Sequence, residues 1–345
     1  MVVFKKNFSP DLTVNIWMLT LTFMTLMIIV IGGLTRLTES GLSIVDWRPI
    51  MGIIPPLKYE SWLKIFANYK GSPEFQIVNK FMSLEEFKYI FWWEWFHRFF
   101  ARLIGLIFIF PLLFFLYQKR ISKKLFVIMV VIFIFGFFQA IVGWWMVKSG
   151  LNDNPYVSSY RLAFHLFNAL IIFSILLWST ISLFNKNNLN NNNIKLIELF
   201  FITGIIFLFI TIISGAFMAG THAGKSFNTY PLMNGSLIPD DYFIKELGIR
   251  NFFENTVTIN FNHRWLASFT FVFIFSFIVF LIFFSNHMKN YRSLITVLIF
   301  MTLQFLLGIL TLLTNTELTL ASMHQTNSVL LLGSVLFAYH SYKYR

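Results

Sequence analysis

The sequence predicts an all-α integral membrane protein: eight transmembrane helices arranged as two parallel-repeat four-helix bundles, both termini cytoplasmic. Three observations predict it. Of 345 residues, 57% are hydrophobic and only 12% charged, against about 45–50% and about 25% in an ordinary soluble domain. The apolar residues fall into eight continuous runs of membrane-spanning length. The polar residues that punctuate those runs recur in the two halves of the chain. So few charges could not coat a water-soluble protein of this size, and a soluble enzyme is excluded. With no cysteine, disulfides, thiolate ligands, iron–sulfur clusters and cysteine nucleophiles are excluded as well.

A helix needs roughly 20 apolar residues to cross a bilayer. Residues 14–35, 91–117, 125–147, 160–184, 196–219, 256–284, 294–314 and 320–339 supply them. Strands would show short alternating segments instead. Orientation follows from the short connections. One side gathers Lys5, Lys6, Lys119, Arg120, Lys123, Lys124, Lys186, Lys195, Lys289, Arg292, Lys343 and Arg345 against only Asp11 and Glu198. That side therefore holds ten of the twelve net positive charges, and the positive-inside rule makes it cytoplasmic. Two long, nearly charge-balanced loops, 37–90 and 220–255, face outward. The basic excess is topogenic, so nucleic-acid binding is not expected. The first run has no small-residue cleavage site, and a bacterial cell inner (cytoplasmic) membrane is the simplest placement.

The polar stretch 185–193 divides the chain into residues 1–190 and 191–345, each with four helices. In each half a Gly-bearing end of the first helix (Gly32, Gly33; Gly215, Gly220) leads into a long outer loop. The second helix opens with His-Arg (His97-Arg98; His263-Arg264). The third carries Gln-x-x-x-Gly (Gln139, Gly143; Gln304, Gly308). The fourth opens with His and then Asn three residues on (His165, Asn168; His324, Asn327). An even number of helices per unit makes the repeats parallel, and a four-helix bundle is the natural form of each. Ionisable residues inside spans are rare and face the protein interior or a site. Two neutral imidazoles from facing helices suit the axial positions of a haem iron, giving one bis-His pocket per half. A zinc site would want a third nearby ligand. Interfacial hydrogen bonding is the alternative for any single histidine. His287 and His340, at inner ends, read as topogenic or solvated, and His222 as loop chemistry.

Glu94 precedes His97 by three residues and Arg98 by four, which places all three on one helical face. The corresponding residue of the second half is Asn260, which cannot exchange a proton. A carboxylate beside a redox site can shuttle protons or stabilise a developing cation, so the first pocket reads as reactive and the second as structural or electron-relaying. Pairing of Glu94 with Arg98, or capping, is the alternative. Arg98, Arg102, Arg161 and Arg264 lie on the outer side against the charge trend. Their forked donors suit haem propionates, or they snorkel to lipid headgroups. Arg98 and Arg264 stand beside the histidines as candidate cofactor-binding residues.

The loops carry a family resemblance. Residues 30–56 read VIGGLTRLTESGLSIVDWRPIMGIIPP, residues 218–235 MAGTHAGKSFNTYPLMNG and residues 256–267 TVTINFNHRWLA. With EWFHR at 94–98 and TLASMHQTNSV at 319–329, they resemble the haem A synthase family, in order along nearly the whole chain. The resemblance implies an inner-membrane oxidoreductase that converts the C8 methyl of haem O to a formyl group by successive hydroxylation, making haem A for cytochrome c oxidase. It implies haem b held by His263 and His324 in the C-terminal half. It implies His97 and His165 facing the substrate haem in the N-terminal half, with Glu94 as the acidic residue. Some members have a cysteine pair in the first outer loop; none exists here, so a thiol step cannot operate. An electron donor is required, while contact with haem O synthase and a homo-oligomer stay open. A transmembrane b-type cytochrome relay and a haem transporter are the competing functions. The relay would want ligands at both membrane depths, and the transporter predicts no change to the porphyrin.

Overall fold

The computed structural model describes residues 11–46, 51–152, 154–184, 194–284 and 291–344. Lys5, Lys6, Lys186, Lys289 and Arg345 of the basic set, His287, the 185–193 divide and residues 47–50 of the first loop motif lie outside them. The described residues form helices joined by turns and loops, with an isolated bridge between Met233 and Ser236. In chain order come α1 (Leu12–Leu37), α2 (Tyr59–Lys70), α3 (Pro73–Ile77), α4 (Leu84–Tyr117), α5 (Lys123–Ser149) and α6 (Ser159–Phe184). They are followed by α7 (Lys195–Gly220), α8 (Asn251–Glu254), α9 (Thr256–Phe284), α10 (Tyr291–Leu313) and α11 (Leu318–Lys343).

Seven of these, α1, α4, α5, α6, α7, α9 and α10, are long and apolar enough to cross a membrane. The chain is a multi-pass membrane protein. The eighth expected span corresponds to α11, which matches the others in length at 26 residues but carries more polar side chains. Its Asn327, Ser328, Ser334 and His340 are buried in protein rather than turned to the periphery.

Several helices begin at a capping side chain. Asp11 caps α1, Ser122 caps α5 and Glu317 caps α11, each accepting from backbone N–H groups of the first turn that would otherwise lack partners. At α4 a reciprocal box between Ser83 and Glu86 starts the helix at residue 84, seven residues before the apolar run begins. This box explains why hydrophobicity alone placed the start too late.

The centre of the molecule is built by α1, α6, α7 and α11, with α4 and α5 flanking one side and α9 and α10 the other. One core joins Ile29 of α1, Leu170 and Phe173 of α6, Phe201 of α7 and Val335 of α11. A second joins α1, α4, α5 and α6 around Trp17, Phe108 and Met129. Polar side chains tie the central helices. Thr22 and Thr180 hydroxyls lie 2.8 Å apart, and Gln325 donates to the Ile29 carbonyl across the seam at 3.1 Å. A Cβ on Gly33 would fall 1.8 Å from the Gln325 amide oxygen, so a larger residue there would push the Gln325 amide off the Ile29 carbonyl.

Ion pairs tie the start of α1 to the α4–α5 connection and the start of α7 to the end of α11. Arg120 pairs with Asp11, and that bond holds the Asp11 carboxyl well below the usual carboxylate range. Lys343 pairs with Glu198 at 2.6 Å. Here the structure corrects one expectation. His340 is 1% exposed rather than solvated, because α6 lays Trp178 against its ring and Ser182 Oγ sits 2.9 Å from its Nε2.

At what we call the loop face, α2 and α3 cap the start of α4. Trp62, Phe66 and Tyr69 pack on Phe87 and Phe91, with Phe66 stacked on Phe87 at 5.0 Å.

Candidate functional site

All four predicted histidines lie toward the loop face, and each lies against a glycine of a neighbouring helix. A Cβ built on Gly32 of α1 would lie 3.0 Å from Cε1 of His97 on α4. The same construction gives 3.0 Å between Gly143 of α5 and His165 of α6. It gives 3.3 Å between Gly215 of α7 and His263 of α9, and 3.0 Å between Gly308 of α10 and His324 of α11. These contacts are tighter than most side chains allow, so the glycines cradle the rings. His97 and His165 lie within electrostatic range of each other, as do His263 and His324. Each half thus carries two of the histidines, His97 with His165 and His263 with His324, toward the loop face.

The Gln and Asn positions form a second matched set. Asn168 donates to the Phe135 carbonyl at 3.1 Å and to Gln139 Oε1 at 2.5 Å. The Gln139 amide nitrogen then lies 3.2 Å from His165 Nε2. In the other half, Asn327 donates to the Phe300 carbonyl at 2.9 Å and to Gln304 Oε1 at 2.8 Å. The Gln304 nitrogen lies 3.2 Å from His324 Nδ1 and 3.4 Å from Nε2. Because each Asn spends its NH₂ on a carbonyl and on the Gln oxygen, the orientation of the Gln amide is fixed. Sequence spacing marked these residues; the Asn-to-Gln-to-His chain is visible only in the fold.

The Nδ1 atoms of the other rings differ between the halves. Ser214 Oγ lies 2.7 Å from His263 Nδ1 and donates its own hydrogen to the Thr211 carbonyl at 2.7 Å. A hydroxyl has one hydrogen, so His263 Nδ1–H must donate to Ser214, which leaves Nε2 with its lone pair free. His97 Nδ1 and His165 Nδ1 are buried and have no hydrogen-bond partner.

Glu94 is 2% exposed. Its carboxylate accepts from Ser43 Oγ at 2.7 Å and from the Ile44 amide at 2.8 Å, and pairs with Arg98 at 2.5 Å. Arg98 also donates to the Ile44 carbonyl at 3.1 Å. The pairing weighed as an alternative is therefore present, and it clamps the first outer loop. Asn260, fully buried, clamps the second loop by donating to the Ala223 carbonyl at 2.7 Å. Arg264 donates to the Phe227 and Thr229 carbonyls, both at 2.8 Å. Arg161 donates to the Trp145 carbonyl and lies over the Trp145 ring, while Arg102 sits one turn below Arg98. Beside Arg98 a cavity of about 190 Å³ opens between the first loop and α5, with Lys148 and Trp144 on its far wall. α9 packs against α10, whereas α4 makes no comparable seam with α5.

Two features escaped the sequence reading. Tyr69 donates to the buried Glu74 at 2.8 Å and accepts from Asn79 at 2.8 Å. Burial pushes the Glu74 carboxyl up to about 7, helped by Glu94 and Glu39 and opposed by the Tyr69 hydrogen bond and Arg36. No local pattern marks that cluster. Arg36 reaches from α1 to the Ala219 carbonyl at 2.6 Å and to His222 at 3.3 Å, so His222 helps bind the two halves together. The Ser214 contact could have been found by aligning the residues that precede Gly32 and Gly215.

A family model described as cytochrome oxidase assembly protein, COX15–CtaA, matches residues 15–336. The heme A synthase of Nitrosomonas eutropha is 41% identical over 342 residues, 97% of this chain and 94% of the relative. That of Nitrosospira multiformis is 40% identical over 342 residues, 97% and 95% of the two chains. That of the Wolbachia pipientis strain wMel is 39% identical over 326 residues, 94% and 91%.

Proposed function

This chain belongs to the COX15–CtaA cytochrome oxidase assembly family, and on that premise we propose that it is a haem A synthase with its two tasks divided between its halves. It oxidises the C8 methyl of haem O to the formyl group of haem A. Residues 191–345 hold haem b between His263 and His324, and residues 1–190 receive haem O between His97 and His165. The eight long helices act as two parallel repeats, with the basic face and both termini cytoplasmic in a bacterial inner membrane.

One observation carries the reading: four imidazoles, paired by half, each seated on a glycine of the adjacent helix. The second pocket fits haem b on chemical grounds. His263 presents a lone pair at Nε2, its partner comes from a facing helix, and the neutral Asn260 adds no competing carboxylate. Haem b, when bound, supplies one-electron redox chemistry. An electron donor must deliver to it.

In the first half, His97 and His165 orient the haem O ring and the loop-face cap excludes water. Arg98, beside the cavity, and Arg264, whose Nε is buried without a partner, offer donors to propionates. Glu94 holds a negative charge under the first loop, where it stabilises positive charge developing at the methyl or accepts its proton. Methyl to formyl is a four-electron oxidation. Each of two hydroxylations replaces C–H by C–OH and needs an external oxidant and one oxygen atom. O₂ with two donor electrons and two protons would supply these, its second atom leaving as water, and the gem-diol then loses water to give the aldehyde.

Membranes containing this chain and a haem O source, supplied with electrons, are expected to yield haem A on extraction. An unchanged haem O pool, with electron delivery verified independently, would favour a relay or a transporter instead.

A further inference from the structure

The two pockets place different residues behind equivalent histidines. Ser214 immediately precedes Gly215, the glycine that cradles His263; Ile31 immediately precedes Gly32, the glycine that cradles His97. Ser214 Oγ lies 2.7 Å from His263 Nδ1 and, with its hydrogen on the Thr211 carbonyl, is placed to accept from it. Ile31 is buried, 5% exposed, and has no polar atom to offer, and His97 Nδ1 is left buried without a partner. A metal-binding histidine whose second ring N–H is hydrogen-bonded has its tautomer and ring orientation fixed and its basicity raised. A histidine with an unpartnered N–H bears the full cost of that orphaned donor whenever its ring is held in place.

Resting on the division of the halves proposed above, we propose that Ser214 and Ile31 determine which pocket retains its porphyrin and which releases it. Ser214 makes His263 a permanent axial ligand and keeps haem b resident. Ile31 gives His97 Nδ1 no acceptor, so packing against Gly32 alone orients the ring and it is held less firmly than His263, so that haem O enters and haem A departs. Retention and turnover are thus assigned by one side chain per half, a hydroxyl against a hydrocarbon, at the same place on two equivalent helices. The loose α4–α5 seam of the first half acts in the same direction. Both are positioning residues, because neither touches the iron.

The test uses the purified full-length protein with its bound haem b, with added haem O as the probe for the first pocket and excess apomyoglobin as the haem trap. Extracted haems b and O are separated by mass. In Ser214→Ala, haem b is expected to leave roughly ten- to a hundredfold faster, and its midpoint potential to rise as the imidazole becomes a weaker donor. Ser214→Thr, which keeps the hydroxyl, is expected to restore both readouts. Ile31→Ser is expected to slow the release of haem O. Unchanged haem b release and potential in Ser214→Ala would overturn the assignment, as would unchanged haem O release in Ile31→Ser. Retention of haem b in His263→Ala would remove the site itself, a failure distinguishable from loss of the Ser214 effect alone.

Discussion

The loop ends of α4 and α9 are built on one plan and differ in charge. At α4, Glu94 and Arg98 grip the first outer loop through an ion pair and hydrogen bonds to Ser43 and Ile44. At α9, Asn260 and Arg264 grip the second loop through neutral carbonyls alone. Both therefore serve as clamps, and a clamp does not require a carboxylate. The first half nevertheless keeps one, buried at 2% exposure, where a charge is expensive unless paired. Its pairing with Arg98 offsets that cost, and an ionisable group in one clamp where the equivalent clamp has none is what supports the proposed placement of chemistry in the first half and storage in the second.

The sharpest way to break this contrast is to remove the second pair of histidines. His263→Ala or His324→Ala is expected to abolish low-spin b-type absorbance of the purified protein, while His97→Ala preserves it; absorbance persisting in both of the first two variants refutes the second pocket. Next in size, Glu94→Gln should lower haem A formation about a hundredfold or more, within the range that positioned acid–base groups supply, with the b-type spectrum intact. Full conversion by that variant would reduce Glu94 to a clamp like Asn260.

The smallest effect concerns the loops. Burial raises Glu74 from its ordinary 4.5 to about 7, so the folded cap binds this proton more tightly than the unfolded chain does. The stability that Glu74 contributes is fully present below about pH 4.5 and is lost as pH rises through about 7. Amide exchange in α2 and α3 is thus expected to quicken over that interval and to lose its pH dependence in Glu74→Gln, once the intrinsic pH dependence of exchange is subtracted. In the second loop Asp240, Asp241 and Glu246 are exposed, and exchange there should show no such step. Equal steps in both loops would erase the distinction.

Much of this was legible without a fold. The helices lie within a few residues of the apolar runs, except at α4, where a polar capping box extends the helix beyond the apolar run. The histidine, glutamine and asparagine spacings marked the residues that the fold brings together. What misled was position read as environment. His340 lies near a basic terminus, but α6 packs over it. α11 is long enough to span, yet its polar side chains serve the protein centre, and seven helices among the described residues are apolar enough to cross a membrane by composition.

The sequence by itself determined the number of long helices, the segregation of basic charge to one face and the fourfold histidine pattern. Bilayer thickness, charge asymmetry and helical periodicity are all written in the local order of residues. Only the tertiary structure decided that Ser214 meets His263 while Ile31 leaves His97 unpartnered, that Glu94 holds the first loop, and that Tyr69 and Glu74 are buried together. A hydrogen bond between helices depends on the depth and rotation at which they pack, and that is a property of the assembled bundle that no single segment encodes.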